Sequence, residues 1–259
     1  MRKSTLFILF SLIASWTYAD WTPPTNPNAA KILEEARADA RAGKYEDALA
    51  KHVWFHQNAL KLAAPLRGVR LSFAVGYWSD LGKVYPPAME KLKAIRDEAG
   101  KDVREGDTNR QAFIDFKAIN RELRESDKTT ELFLWLDANE PKRAKVIFDV
   151  AQEDLVRAKE YRLCGKYINP DSSYQRILSL YREDIDSEGN GPRLRQYHRQ
   201  YQKDQFSKSV ATLVAILAIN GKKADADRIA VEAVKELNDE NFKTQLEQAK
   251  NGQLPSSQR

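Results

Sequence analysis

Two histidines one helical turn apart have the spacing in this sequence that could bind a metal ion. His52 and His56 lie four positions apart, so a helix would present both imidazoles on one face. The segment between them, 53–55, lacks the glutamate that a zinc protease carries beside its first histidine. A third ligand would have to be a carboxylate, because only His198 remains. We therefore favour two polar residues on a helix surface over a metal site, and expect no metal or other cofactor.

An acidic segment imitates the opening of a calcium-binding loop, with oxygen donors at alternate positions and a glycine for the sharp turn. Its residues are Asp184, Asp186, Glu188, Gly189 and Asn190. Arg195 stands where a bidentate glutamate would have to close the site, and Pro192 interrupts the loop before it. We interpret the segment as an acidic surface turn.

The densest stretch of cations and aromatic rings, residues 193–203, follows this turn. Its candidates for binding an anionic polymer, or for stacking on bases or sugars, are Arg195, Tyr197, Arg199 and Tyr201. On a helix, Leu194, Tyr197 and Tyr201 would share one face. The favoured interpretation is that the tyrosines pack against a neighbouring helix while the cations point to water.

No catalytic residue can be assigned from the sequence. It contains neither a Gly-x-Ser-x-Gly elbow nor a glycine-rich phosphate loop. A hydrolase of a cell-envelope glycan would need a glutamate of raised pKa in a groove, and Glu131 and Glu153 are conceivable but not distinguished by their neighbours. The single cysteine, Cys164, cannot form an internal disulfide and is predicted to be buried and inert.

The elements that would position these residues follow a predicted secretory signal peptide. Arg2 and Lys3 precede an apolar run, 6–13, and small residues at Thr17 and Ala19 fit a cleavage site. The run is shorter than the roughly 20 residues that a membrane span needs. We expect residues 1–19 to be cleaved, and the mature chain to be exported to the periplasm or the cell exterior without a membrane span.

Composition favours a helical domain with a mixed, solvated surface. The 259 residues include 42 Lys and Arg against 37 Asp and Glu, interspersed along the chain, which does not favour nucleic-acid binding. We expect a Pro-rich leader over 20–27 and a helical domain over 28–250, with a possible sub-boundary at 186–192. Residues 251–259 are predicted to be a flexible tail.

Apolar residues recur at helical spacing through this domain, and convincing runs of alternating β-branched residues are absent from the sequence. The segment from Val69 to Leu81 is apolar and aromatic and is expected to break at Gly82. The predicted fold is all-α, built from antiparallel helix pairs, with an irregular helical bundle as the alternative.

The first predicted pair, 28–60, resembles a tetratricopeptide (TPR) repeat. Ala36 allows close packing, Gly43 and Tyr45 fit the turn, and Ala48 lies where the second helix needs a small residue. Three further units offer Gly76, Tyr85 and Ala88; Trp135, Ala144, Phe148 and Ala151; and Leu213, Gly221, Ala226 and Ala233. Their spacing is irregular, whereas the family period is about 34 residues.

The resemblance implies a solenoid whose first helices line a groove for an extended peptide or a partner's helix. The groove candidates in the first pair are Leu33, Arg37, Ala40 and Arg41. The two arginines could bind a carboxylate, or form part of an ordinary solvated helix face. The predicted function is an exported scaffold that binds a protein or peptide. Alternatives are an envelope-polymer hydrolase with a carboxylate site and an anionic-polymer binder through 193–203, and the oligomeric state stays open.

Overall fold

The computed structural model describes residues 21–106, 110–185 and 192–255, and gives no side chains for 184–185 and 192–195. The prediction of an all-α fold is confirmed, since these ranges contain helices and no strand, and adjacent helices stack in pairs. The signal peptide, the calcium-loop segment at 186–190 and the tail residues 256–259 lie outside the described residues, so the predictions for them stay untested.

The chain divides into two compact units, Met1–Ser126 and Asp127–Arg259. The predicted sub-boundary at 186–192 falls inside the second unit. The helices of the first unit are α1 (Ala29–Arg41), α2 (Tyr45–Leu62), α3 (Arg67–Leu71), α4 (Phe73–Val84), α5 (Pro86–Glu105) and α6 (Arg110–Glu122), with a 3-10 turn at Ala64–Leu66. The next helix, α7 (Ser126–Asn139), begins at the boundary. The second unit continues with α8 (Pro141–Arg157), α9 (Tyr161–Tyr167), α10 (Pro170–Ile185), α11 (Pro192–Ile219), α12 (Lys223–Glu236) and α13 (Glu240–Lys250). Within the described ranges, no helix combines the length and the apolar character needed to cross a bilayer.

One predicted break is wrong. Helix α4 continues through Gly82 and ends only at Tyr85, before the prolines that begin α5. A Cβ on Gly82 would lie 2.9 Å from Cβ of Met89, so this glycine provides the close approach of α4 to α5. The break falls instead at Ser72, which separates the short helix α3 from α4.

One turn recurs at the ends of several helices. At the end of α1, Gly43 has φ +77°, and the amide of Lys44 donates to the carbonyl of Asp39 at 2.9 Å. The corresponding backbone hydrogen bond, around a residue of positive φ, also follows α6, α8, α11 and α13. The residues of positive φ there are Arg124, Lys159, Gly221 and Gly252. This is the Schellman arrangement, which satisfies the last carbonyls of a helix. The sequence indicates it only where glycine occupies the left-handed position.

The small residues proposed for close helix packing are buried. Ala36, Ala48, Ala88 and Ala144 are 0 % exposed and Ala226 is 1 % exposed. Tyr45 and Tyr85 were assigned equivalent positions in the first and second TPR-like helix pairs. Their rings stack, with centroids 5.7 Å apart. These contacts are compatible with a helical repeat.

The positive φ of Lys159 allows a test of the left-handed turn position at the end of α8. We expect Lys159→Gly to raise the free energy of unfolding by about 1 kcal/mol, because a residue with a Cβ is strained in the left-handed region. The matched control, Lys145→Gly on the exposed face of α8, should lower it by about 1 kcal/mol. Urea denaturation measures both, and two changes of the same sign would contradict the assignment.

Candidate functional site

Helix α4 packs into the core of the first unit and also carries one large apolar side chain that is exposed. Val75, Trp78 and Leu81 are each 2 % exposed, in one core cluster of the first unit. Phe73, on the other side, is 63 % exposed. It stacks on Tyr77, one turn later, with ring centroids 6.4 Å apart and planes 25° apart. An apolar ring this exposed and held in place by a neighbour is suited to contact with a partner.

Helix α1 adds a cation to this aromatic pair. The guanidinium carbon of Arg37 lies 4.1 Å from the ring centroid of Tyr77, a cation–π contact. Within the part of the chain that the structure describes, Arg37 forms no ion pair. Its positive charge is therefore placed beside the aromatic rings without a carboxylate among the described residues to neutralise it.

Helix α6 completes the surface. Arg121 donates a hydrogen bond from Nη2 to the carbonyl of Leu71 at 2.8 Å, and the Glu122 carboxylate lies 3.7 Å from where a Cβ on Gly76 would be. A cavity of about 330 Å³ lies here, lined by Ser72, Phe73, Gly76, Tyr77, Asp80, Arg121 and Glu122. We call the surface formed by Arg37, Phe73, Tyr77, Arg121 and Glu122 the first-helix face. Helices α1, α4 and α6 supply these residues.

The predicted groove residues of α1 divide between this face and the core. Arg37 lies on the first-helix face, and Arg41 is exposed at the end of α1. Leu33 is 6 % exposed and packs into a core cluster that includes Phe55, so its side chain does not line a groove. Ala40 is half-buried against the other core cluster.

The expectation of two surface histidines is wrong, because both rings are buried against Trp78. His52 is 2 % exposed and stacks on the indole at 5.9 Å, and His56 meets it edge-on at 6.2 Å. Neither nitrogen of His52 has a hydrogen-bond partner. Burial lowers the pKa of His52 to about 4, so the ring is neutral at physiological pH.

His56 belongs to a buried network that ties α2, α3 and α6 together. Arg70 donates from Nε to the carbonyl of His56 at 2.6 Å, and its two terminal nitrogens pair with both carboxylate oxygens of Asp115. Gln111 also donates to Asp115, at 2.9 Å. Burial and, second, the charge of Arg70 lower the pKa of His56 to about 4, against the opposing effect of Asp115.

A cavity of about 440 Å³ adjoins this network and is lined in part by His56, Arg70 and Asp115. Every nitrogen of the Arg70 guanidinium is already engaged, and its terminal Nη2 lies 3.0 Å from Nε2 of His56. The arrangement therefore fixes the helices rather than offering free donors. Among the described residues there is no group of three or more His, Cys, Asp or Glu side chains that could hold a metal ion.

The remaining sequence candidates are dispersed. Tyr197 and Tyr201 on α11 are 74 % and 50 % exposed, so the expectation that they pack against a helix is wrong. Arg199 is exposed, and the side chain of Arg195 lies outside the described residues. Glu131 is exposed, and the exposed Glu153 pairs with Arg157 at 2.9 Å.

Cys164 is fully buried, as predicted. Burial raises the pKa of its thiol to about 12.

Sequence reasoning missed the first-helix face. The signal was present in the spacing of Phe73 and Tyr77, which places them together on α4 but away from Trp78. This spacing was obscured because apolar and aromatic residues occur on several sides of α4. No family model, curated protein or solved structure matches the chain.

The buried histidines predict acid sensitivity. Each has a pKa near 4 in the folded state and about 6.5 when unfolded, so the unfolded chain binds more protons between these values and stability is lost as the pH falls from 6.5 toward 4. We expect each histidine to lower the free energy of unfolding by about 2 kcal/mol when the pH falls from 7 to 5.

His52→Phe should keep the stack on Trp78. It should also reduce the loss of unfolding free energy between pH 7 and pH 5 by the contribution of His52. Urea denaturation at the two pH values measures it, and the effect should persist at high salt because desolvation is not screened. An unchanged pH dependence in His52→Phe would contradict the role of His52.

Proposed function

We propose that the protein is an exported, TPR-like scaffold that binds an extended peptide of a partner protein on the first-helix face. The observation that carries the proposal is the stacked pair Phe73 and Tyr77, with Phe73 in solvent and Arg37 held over the ring of Tyr77. In TPR proteins the first helices of successive pairs form the peptide-binding surface. Here α1, α4 and α6 supply the corresponding residues.

The chemistry of the face favours a peptide that combines an apolar or aromatic side chain with a carboxylate. Phe73 offers its ring to the apolar or aromatic side chain of the peptide. Gly76 has no side chain, so it leaves space in the adjacent cavity. Arg37 forms no ion pair within the described residues and offers its charge to the carboxylate of the peptide, whereas Asp80 is already paired with Lys83 at 2.6 Å. Arginine binds carboxylates in a bidentate manner.

Two further observations support the repeat character. The Schellman turns recur at the helix ends, and the alanines at the small-residue positions are buried. Export is proposed from the sequence of residues 1–19 alone. The hydrolase alternative has less support, because neither Glu131 nor Glu153 is buried.

The first test is selection from a random peptide-display library with the chain 20–259, followed by fluorescence polarisation of the selected peptides. We expect an enriched motif that contains an aromatic residue and an acidic residue. Phe73→Ser should weaken its binding about thirtyfold or more, the range in which interface hot spots begin. Leu180→Ser, which removes a side chain 57 % exposed on α10, is the matched control and should bind as the wild type does.

The charge of the face is tested separately. Arg37→Glu should weaken binding of the selected peptide, and replacing its acidic residue by the neutral amide should remove most of the difference between wild type and variant. Arg162→Glu, an exposed arginine on α9, is the control. Selection without a motif, or binding that is equal in wild type, Phe73→Ser and Arg37→Glu, would overturn the proposal.

A further inference from the structure

The second unit contains a groove that the proposed function does not use. It lies between the N-terminal half of α11 and helix α13, and has a volume of about 760 Å³. Its lining is rich in uncharged hydrogen-bonding side chains, among them Gln205, Asn241, Thr244, Gln245 and Gln248. This is a different surface, on a different unit, from the first-helix face.

The amide groups in this groove are available. The side chains of Gln205, Gln245 and Gln248 form no hydrogen bond with other described residues, in contrast to Gln200, which donates to Asp204 at 2.9 Å. Each free amide offers two donors and one acceptor oxygen. Three such groups along one groove can bind a ligand that itself carries many neutral donors and acceptors.

The charges of the groove balance. Two lysines, Lys203 and Lys208, face two aspartates in the lining. One of them, Asp239, caps α13 by accepting from the amide of Phe242 at 2.9 Å. A polyanion would require an excess of cations here, so the lining does not favour the anionic-polymer binding considered for residues 193–203.

Apolar surface accompanies the amides. Phe242 and Leu237, only 1 % and 8 % exposed, contribute to the base of the groove. Tyr201 lines its edge with a half-exposed ring, and Tyr197, one turn earlier on α11, is 74 % exposed on the same side of the helix. Two exposed rings one helical turn apart are platforms on which flat, partly apolar rings can stack.

We propose that this groove binds a neutral oligosaccharide. A sugar ring presents hydroxyl groups at its rim and C–H groups on its faces, which match the glutamine amides and the tyrosine rings respectively. An extended peptide would share the amide contacts, but its side chains would need apolar side pockets, and the accessible walls here are polar. The exposed tyrosines therefore favour a sugar over a peptide as the ligand of this groove.

The test is titration of the chain 20–259 with three soluble tetrasaccharides: β-1,4-linked N-acetylglucosamine, β-1,4-linked glucose and α-1,4-linked glucose. The side-chain amide signals of Gln205, Gln245 and Gln248 in ¹⁵N-correlated NMR spectra report binding at the groove directly. We expect these signals to shift with at least one tetrasaccharide at millimolar concentration. A neutral, unstructured peptide of similar length is titrated in parallel.

Three variants locate the site. Gln245→Ala and Tyr201→Ala should each weaken binding of the active tetrasaccharide about fivefold or more, while Gln175→Ala, an exposed glutamine on α10, should leave it unchanged. Both test positions are solvent-accessible, and circular dichroism checks that each variant is folded.

The proposal is overturned if no tetrasaccharide shifts these amide signals, if the peptide alone shifts them, or if binding is insensitive to Gln245→Ala and Tyr201→Ala. Arg37→Glu should not affect sugar binding, so failure here and failure of the peptide-binding proposal can be distinguished.

Discussion

Close approach of helices at residues with small side chains is the constraint on which the rest of this structure depends. An amphipathic helix cannot bury its apolar stripe alone, and a pair can do so well only if the backbones come near enough for large residues to interlock beside the contact. Ala48 and Ala88 meet this requirement in the first unit, and Ala144 and Ala226 in the second. Gly82 does the same where Met89 crosses it. Since the chain has a single cysteine, packing of this kind must hold each unit together without disulfides.

This constraint also explains where the candidate surfaces lie. Once one side of α4 is packed into the core through Trp78, the ring of Phe73 on its other side remains in solvent, stacked on the half-buried Tyr77, unless a partner covers it. In the second unit, α11 changes character along its length: residues 213–217 are all buried, whereas Tyr197 and Tyr201 are exposed. Each candidate surface is therefore the part of a helix that its neighbours leave uncovered.

The sequence predicted what depends on periodicity and composition. The all-α fold and the burial of Cys164 follow from local spacing or from ordinary residue preferences, and the structure shows both of them. Sequence-based prediction failed where a residue departs from its usual structural preference. Lys159 takes a left-handed turn position that glycine usually occupies, and Gly82 continues a helix that glycine usually ends.

The candidate sites were harder to predict than the fold. Arg37 was predicted as a groove residue from the TPR resemblance, but the burial of His52 and the exposure of Phe73 depend on which side of a helix meets its neighbour. In an apolar segment such as 69–81, hydrophobicity marks no single side as the core. The Arg70 and Asp115 pair joins residues 45 positions apart, a separation that one sequence cannot reveal.

The state of Cys164 has a consequence for the exported location that we propose. Disulfide exchange proceeds through the thiolate, and a thiol whose pKa is near 12 supplies almost none at neutral pH. Complete burial also denies oxidants and foreign thiols access to its sulfur. With the export that we propose, the folded chain could mature beside disulfide-forming catalysts without forming mixed disulfides or covalent dimers, for as long as the second unit remains folded.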